Sequence, residues 1–141
     1  MAEGKGLNLL DIENKIVLLD TCTFYWSAYE LKSIPKKVDQ IIDNCKQVLI
    51  SATSFWEIAN KEKRGKLKVN FPLEVVRQKI EDEERFLILP TEVDHFLTAA
   101  RLNWEHKDPF DRLIVSIAKL ENAYILSPDE AIKSYYPKTI W

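Results

Sequence analysis

The chemistry-bearing residues of this chain are carboxylates placed where apolar runs end or helices begin. Asp20 directly follows Leu18-Leu19, and Glu57 comes one short turn after Val48-Leu49-Ile50. Asp108 and Asp111 frame Asp108-Pro109-Phe110-Asp111, and Asp129 follows Ser127-Pro128. Each acid has a plain structural reading. Ser54-Phe55-Trp56-Glu57 has the form of a capping box, Asp108 is a good N-cap before Pro109, and Ser127-Pro128-Asp129-Glu130 repeats that form. Asp20 fits that reading least, because a carboxylate closing an apolar strand needs another reason. If the acids converge, the capping reading no longer suffices. Two carboxylates about 4 Å apart repel by roughly 4 kcal/mol at an effective dielectric of about 20, against the ~1 kcal/mol of a cap. A hard divalent cation with oxygen ligands offsets such repulsion, and a water on it can attack a phosphodiester.

Convergence requires elements that bring the acids to one edge. Short apolar runs alternate with amphipathic stretches along the chain. Strands are expected at Ile16-Val17-Leu18-Leu19, Val48-Leu49-Ile50, Phe86-Leu87-Ile88-Leu89 and Ala123-Tyr124-Ile125-Leu126, with a last edge strand at Thr139-Ile140-Trp141. Between them the pattern predicts helices through Phe24-Tyr25-Trp26, from Pro35, from Ser54 towards Gly65, from Pro72, over Val93 to Trp104, and from Pro109. The Pro35 helix places Val38, Ile41, Ile42 and Cys45 on one face, and the Pro109 helix turns Phe110, Leu113, Ile117 and Leu120 inward. A short helix follows Ser127-Pro128. This alternation argues for an α/β fold with a central, mainly parallel sheet of four to five strands covered on both faces. Such sheets place their sites outside the carboxyl ends of the strands.

Bulk composition agrees with one domain. The chain has 141 residues, 46% of them apolar and 30% charged, enough for one core and a solvated surface. Residues 1–14 read as a polar N-terminal extension, and 15–141 as the domain. No membrane span, secretory leader or disulfide framework is visible, which points to a cytoplasmic protein. The formal charge of −2 argues against a large phosphate-binding surface but not against an acidic metal site.

At this point the residues resemble a family. Leu18-Leu19-Asp20-Thr21 resembles the opening of the PIN-domain ribonucleases of the VapC toxin type. Ser51 through Ala59, with Ser54, Trp56 and Glu57, is similar to their second motif, continued by Lys61 and Gly65-Lys66-Leu67. His106-Lys107-Asp108-Pro109-Phe110-Asp111-Arg112-Leu113 resembles a block of one subgroup, and Ile125-Leu126-Ser127-Pro128-Asp129 the last acidic motif. The match covers roughly residues 16–141, and the four blocks in order are far more specific than any one. The resemblance implies a PIN-like fold and an endoribonuclease dependent on Mg²⁺ or Mn²⁺. It would be the toxin of a toxin–antitoxin pair, with RNA as substrate and a small cognate antitoxin protein as partner. By position, Asp20, Glu57 and Asp111 match the core metal-binding and catalytic acids, and Asp129 the fourth, more variable one. Asp108 is peculiar to the subgroup and reads mostly as a helix cap. Thr21, Ser54 and Arg112 would support the site by hydrogen bonds or ion pairs. The sequence departs from the pattern at Cys22, where the subgroup often has His, at Ser127-Pro128, and in residues 1–15, which extend beyond the usual start.

The remaining candidates have two readings each. Lys61, Lys63 and Arg64, in a basic run continuing to Lys66 and Lys68, either track an RNA backbone or form a solvated helix end. Phe24, Tyr25, Trp26 and Trp56 either form a surface for homodimer or antitoxin contacts or pack in the core. Cys22 lacks the companions of a nucleophile and reads as a small buried residue. His106 either binds metal or phosphate or, the reading preferred, is a surface loop residue or a partner for Asp108, and His95 reads as structural. A non-catalytic binding module on the same fold is disfavoured by the intact Asp20, Glu57 and Asp111. A phospho-acceptor signalling domain is disfavoured by Leu89-Pro90-Thr91-Glu92, which lacks an Asp after the third strand.

Overall fold

The computed structural model describes residues 9–141. Five parallel strands form one sheet: β1 (Ile16–Leu19), β2 (Gln47–Ser51), β3 (Phe86–Leu89), β4 (Tyr124–Leu126) and β5 (Thr139–Ile140), in the spatial order β3-β2-β1-β4-β5. Among the described residues, seven α-helices connect and cover them: α1 (Thr21–Tyr29), α2 (Lys36–Asn44), α3 (Ala52–Lys63), α4 (Leu73–Glu81), α5 (Val93–Arg101), α6 (Pro109–Glu121) and α7 (Glu130–Tyr135). The fold is the α/β arrangement expected from the sequence, with an all-parallel sheet. No described helix is long and apolar enough to cross a membrane.

The central strands are unbroken apolar runs because both their faces are buried. Val17, Leu19, Val48, Ile50 and Leu126 face a core shared with α1, α2 and α4. Leu18, Leu49 and Ile125 face the opposite core, built mainly from α6 and α7. Of the polar extension read over residues 1–14, residues 1–8 lie outside the described residues. Leu9–Asn14 forms a 3-10 turn, and its Ile12 is buried in the first core.

Several boundaries differ from the periodicity reading for local reasons. Helix α3 starts earlier than Ser54 because Ser51, at the end of β2, caps it by accepting a hydrogen bond from Thr53 N at 3.1 Å. The capping box at Ser54 and Glu57 therefore does not form, and both residues lie within the helix. Gly65 follows the C-cap Arg64 with φ +73°, a conformation that favours glycine. Helix α5 ends at Arg101, short of Trp104. On α6, Leu113 and Ile117 are buried, but Leu120, in the last turn, is exposed. Asn122 ends that helix in the left-handed region, with φ 54°.

Leu49 and Leu87 are register partners in neighbouring strands, yet Leu49 is 2% exposed and Leu87 42%. Leu49→Ala should lower stability by about 2–5 kcal/mol. Leu87→Ala on the edge strand should cost about 1 kcal/mol or less. Urea unfolding midpoints of the two variants check this, and equal losses would contradict the assigned edge position of β3.

Candidate metal and nuclease site

The strand order fixes where a site forms. From β1 the chain proceeds to β2 and β3 on one side of the sheet, then returns to β4 and β5 on the other. The switch point therefore lies between β1 and β4, and the crevice at their carboxyl ends is where open α/β sheets bind ligands. Asp20 ends β1 there, and Ser127 ends β4. The Ser127 hydroxyl donates to Asp20 Oδ2 at 2.5 Å, across 107 residues of sequence. Asp20 Oδ1 accepts from Thr23 N at 2.8 Å and so caps α1. The same register is closed by Thr23 Oγ1, which donates to the Leu126 carbonyl at 2.9 Å. Asp20 is 5% exposed. Burial raises its carboxyl above the usual range, and the Asp129 charge adds to that. The hydrogen bonds from Ser127 and Thr23 oppose the rise.

The other acids reach the crevice from helix starts. A cleft of about 710 Å³ is lined by Asp20, Thr21, Cys22, Glu57, Asp108, Asp111 and Asp129, together with Lys61, Lys66 and Lys68. Glu57, 8% exposed, projects from the second turn of α3, and its Oε2 lies 2.9 Å from Lys61 Nζ. Thr21 and Ser54 join their hydroxyls at 2.9 Å, tying the start of α1 to α3 and so Asp20 to the helix that carries Glu57. Asp108 caps α6 with Oδ1, which accepts from Phe110 N at 2.9 Å. Asp111 stands in the first turn of α6, 2.7 Å from His106 Nε2. Burial lifts its carboxyl to about 6, against the His106 hydrogen bond and with the Asp108 and Asp129 charges adding. Asp129 caps α7 by accepting from Ile132 N at 3.0 Å. Ser127, expected in that role, instead accepts from Asp129 N at 3.0 Å and serves Asp20.

Several expected roles change. Arg112 makes no ion pair with the acids. Its guanidinium donates to the carbonyls of Ala99, Leu102, Trp104 and His106 at 2.6–3.0 Å, which fixes the segment between α5 and α6. His106 partners Asp111 rather than serving only as a neighbour of Asp108. Cys22 is exposed in the cleft rather than buried. Desolvation of its thiol, then the Asp20 charge, pushes it up to about 12, which disfavours the thiolate. Of the basic run, Lys61, Lys66 and Lys68 line the acidic cleft, whereas Lys63 does not. Arg64 lines an adjacent apolar groove of about 640 Å³ with Trp56, Phe96 and Phe110. The aromatic group also divides: Phe24 and Tyr25 are buried, Trp26 is half-buried against Trp141, and Trp56 is 62% exposed against Phe110. His95 is structural, as expected, with Nδ1 accepting from Glu92 N at 2.9 Å.

The donor set suits a hard divalent cation. Asp20, Glu57, Asp111 and Asp129 come from separate elements, burial raises the carboxyls of Asp20 and Asp111, and Lys61 and His106 are the side chains paired with Glu57 and Asp111. Among the described residues, His106, Asp108 and Asp111 form the one group of three whose ligand atoms all lie within 4.8 Å of one another. Asp20 and Glu57 line the same cleft outside that group.

The role of Ser127 was not read from the sequence. Its signal is positional: it is a hydroxyl residue ending the strand that pairs with β1, level with the acid that ends β1.

Known proteins resemble this chain along most of its length. It is 23% identical over 128 residues to Ribonuclease VapC22 of Mycobacterium tuberculosis, covering 89% of this chain and 98% of that protein. A toxin-antitoxin complex from Klebsiella pneumoniae matches with a TM-score of 0.62 at 17% identity, over 89% of this chain and 96% of that one. The VapBC2 structure from Rickettsia felis, bound to a DNA fragment from its promoter, matches at 0.59 and 19%, over 86% and 94%. The PIN domain family matches residues 17–137, from β1 to just past α7 and through every acid in the cleft, and the chain belongs to that family.

Proposed function

We propose that the chain is a Mg²⁺- or Mn²⁺-dependent endoribonuclease acting as the toxin of a toxin–antitoxin pair. The observation that carries this reading is the cleft at the β1/β4 switch point, lined by Asp20, Glu57, Asp111 and Asp129 from separate elements. The resemblance to a protein named as a ribonuclease supports the substrate class. In this reading Asp20, Glu57 and Asp111 hold the cation, and Asp129 adds negative charge beside Asp20. When bound there, such an ion would supply an activated water and offset charge on the phosphate and the leaving oxygen. Ser127 and Thr23 fix both oxygens of Asp20, so that carboxylate is positioned before any ligand arrives. Lys61 holds Glu57, and Arg112 holds the segment that brings His106 to Asp111.

The substrate path follows from the same cleft. Lys66 and Lys68 sit on the segment after α3, which is pinned to α1 by the Tyr25 hydroxyl donating to Lys68 O at 2.6 Å and by Tyr29 donating to Phe71 O at 2.9 Å. These two lysines are proposed to contact the RNA backbone, in place of Lys63 and Arg64. The proposed protein partner is a small antitoxin whose Arg side chain enters the acidic cleft, since a guanidinium binds carboxylates bidentately. The exposed Trp56, edge-on to Phe110 beside that cleft, suits its apolar anchorage or that of a second copy of the chain. A structural neighbour described as a toxin-antitoxin complex supports the antitoxin.

Asp20→Asn and Asp111→Asn should each lower RNA cleavage by more than about a hundredfold, beyond what loss of a mere supporting group costs. Asp108→Asn should stay within about tenfold, because Asn is an equal N-cap. Purified enzyme, freed of any partner, is assayed on structured RNA with and without EDTA. Undiminished cleavage in excess EDTA, with contaminating nucleases excluded, would refute the metal-dependent reading.

Without metal, the same acids make stability depend on pH. Asp111 holds its proton to about 6 when folded, against an ordinary 3.8. Its proton therefore favours folding at low pH, and that contribution is lost as pH rises through about 6. Metal-free Asp111→Asn should be the more stable protein at neutral pH, and its advantage should shrink as pH falls from 7 to 4. Thermal melts across that range measure it, and a pH-independent difference would contradict the assigned cause.

The two lysines of the substrate path are tested together. Lys66→Gln combined with Lys68→Gln should raise KM for RNA and leave kcat in place. The slope of log affinity against log salt should become shallower by about 0.7 for each phosphate that the lysines neutralise. An unchanged slope would remove these two residues from the substrate path.

A further inference from the structure

The group His106, Asp108 and Asp111 contains one member whose chemistry differs from the rest of the cleft. Acids and waters are hard oxygen donors, but an imidazole is a borderline nitrogen donor that favours later transition ions. Three features make His106 more than a passing neighbour. Its Nε2 and Asp111 Oδ2 stand 2.7 Å apart, and two ligands on adjacent corners of an octahedron of radius about 2.1 Å stand about 3.0 Å apart. Its ring packs against Trp104 at 4.8 Å, and Trp104 in turn stacks on Tyr135 at 4.6 Å. Its backbone carbonyl accepts from Arg112 at 2.9 Å, as do the carbonyls of Trp104 and Leu102. The imidazole is therefore aimed at Asp111 by a rigid support. Asp108 caps α6 with Oδ1 alone, and among the described residues no protein donor reaches its Oδ2. The ligand atoms of all three span up to 4.8 Å, wider than the about 4.2 Å between opposite corners of that octahedron, so the close pair is His106 and Asp111, and Asp108 remains a cap.

We propose that His106 is a ligand of the divalent cation held by Asp111, giving this site one nitrogen donor and a raised preference for Co²⁺ and Mn²⁺ over Mg²⁺. The inference rests on the metal-dependent reading above. Arg112 is then a positioning residue: it touches no ligand atom of the ion, and it holds the carbonyl of the residue that does.

The competing role for His106 is that of a positive partner for Asp111 in the ion-free protein. The two roles predict opposite responses to metal. If His106 coordinates, His106→Gln should lower Co²⁺ affinity by about tenfold and leave Mg²⁺ affinity within about twofold. If it only neutralises Asp111, its removal frees a carboxylate, and affinity for both ions should rise or stay the same.

The experiment uses the full chain freed of any bound partner. Calorimetric titrations with Mg²⁺ and Co²⁺ are run on the wild type, His106→Gln and His106→Ala. Pulsed EPR is recorded on the Mn²⁺-loaded wild type with ordinary and with nitrogen-isotope-labelled histidine. Labelling makes the wild-type readout independent of whether a variant folds. The chain has two histidines, so His106→Gln assigns the signal. The expected result is a coordinated-nitrogen modulation that shifts with the isotope and disappears in His106→Gln. It should accompany a selective loss of Co²⁺ affinity. A wild type that binds Mn²⁺ with no histidine nitrogen in the spectrum overturns the inference and leaves the proposed function standing. A signal that persists in His106→Gln overturns it as well. A wild type that binds none of the three ions overturns both.

Discussion

The hydrogen bond from Ser127 to Asp20 joins the two strands at which this sheet changes direction, and the cleft is arranged around it. Asp20 is buried, its carboxyl raised by that burial, and it lies beside Asp129 and within the same cleft as Glu57 and Asp111. A carboxylate in that position is held by what donates to it. Ser127 secures one oxygen and Thr23 N the other. Thr23 also ties its own side chain to the end of β4. The donors thus come from both strands of the β1–β4 pair, and correct pairing of the sheet and correct placement of the acid are one event.

The remaining acids are accommodated by a division of labour within each residue. Asp108 and Asp129 each commit one oxygen to the first turn of a helix, where the macrodipole favours negative charge. Glu57 has Lys61, and Asp111 has His106. The capping reading and the ligand reading of these acids are therefore compatible, since a carboxylate has two oxygens and a cap uses one. What stays unfavourable is the burial of Asp20 and Asp111, visible in carboxyls that hold their protons too tightly. The two dry cores on either face of the sheet supply the stability that lets the chain keep such groups.

Much of this arrangement was legible in the sequence. The strands stood out because a parallel strand buried on both faces is a continuous apolar run, and Asp20 stood out because it interrupts one. The start of α6 was legible because Asp108-Pro109 combines a cap with the residue suited to the first helical position. What the sequence hid were relations between distant residues. Ser54 looked like a cap because nothing local shows that Ser51 holds that role and that Ser54 faces Thr21. Arg112 was expected to act by hydrogen bonds or an ion pair; it acts by hydrogen bonds, to four carbonyls that the sequence does not show. Cys22 looked buried by residue type alone. Phe24, Tyr25 and Trp56 share a composition and separate only once the helices pack.

The β1–β4 pairing also bears on when the site comes into being. During synthesis Asp20 leaves the ribosome long before Ser127, which lies 107 residues further along the chain. The earlier segments can collapse around β1, β2 and β3. Until β4 slots in beside β1, however, one oxygen of Asp20 has no donor and Asp129 is absent from the cleft. Pairing across so long a stretch of chain is intrinsically slow, because the loop must close before the pairing stabilises it. The order of translation therefore makes the acidic cleft one of the last parts of this sheet to be assembled.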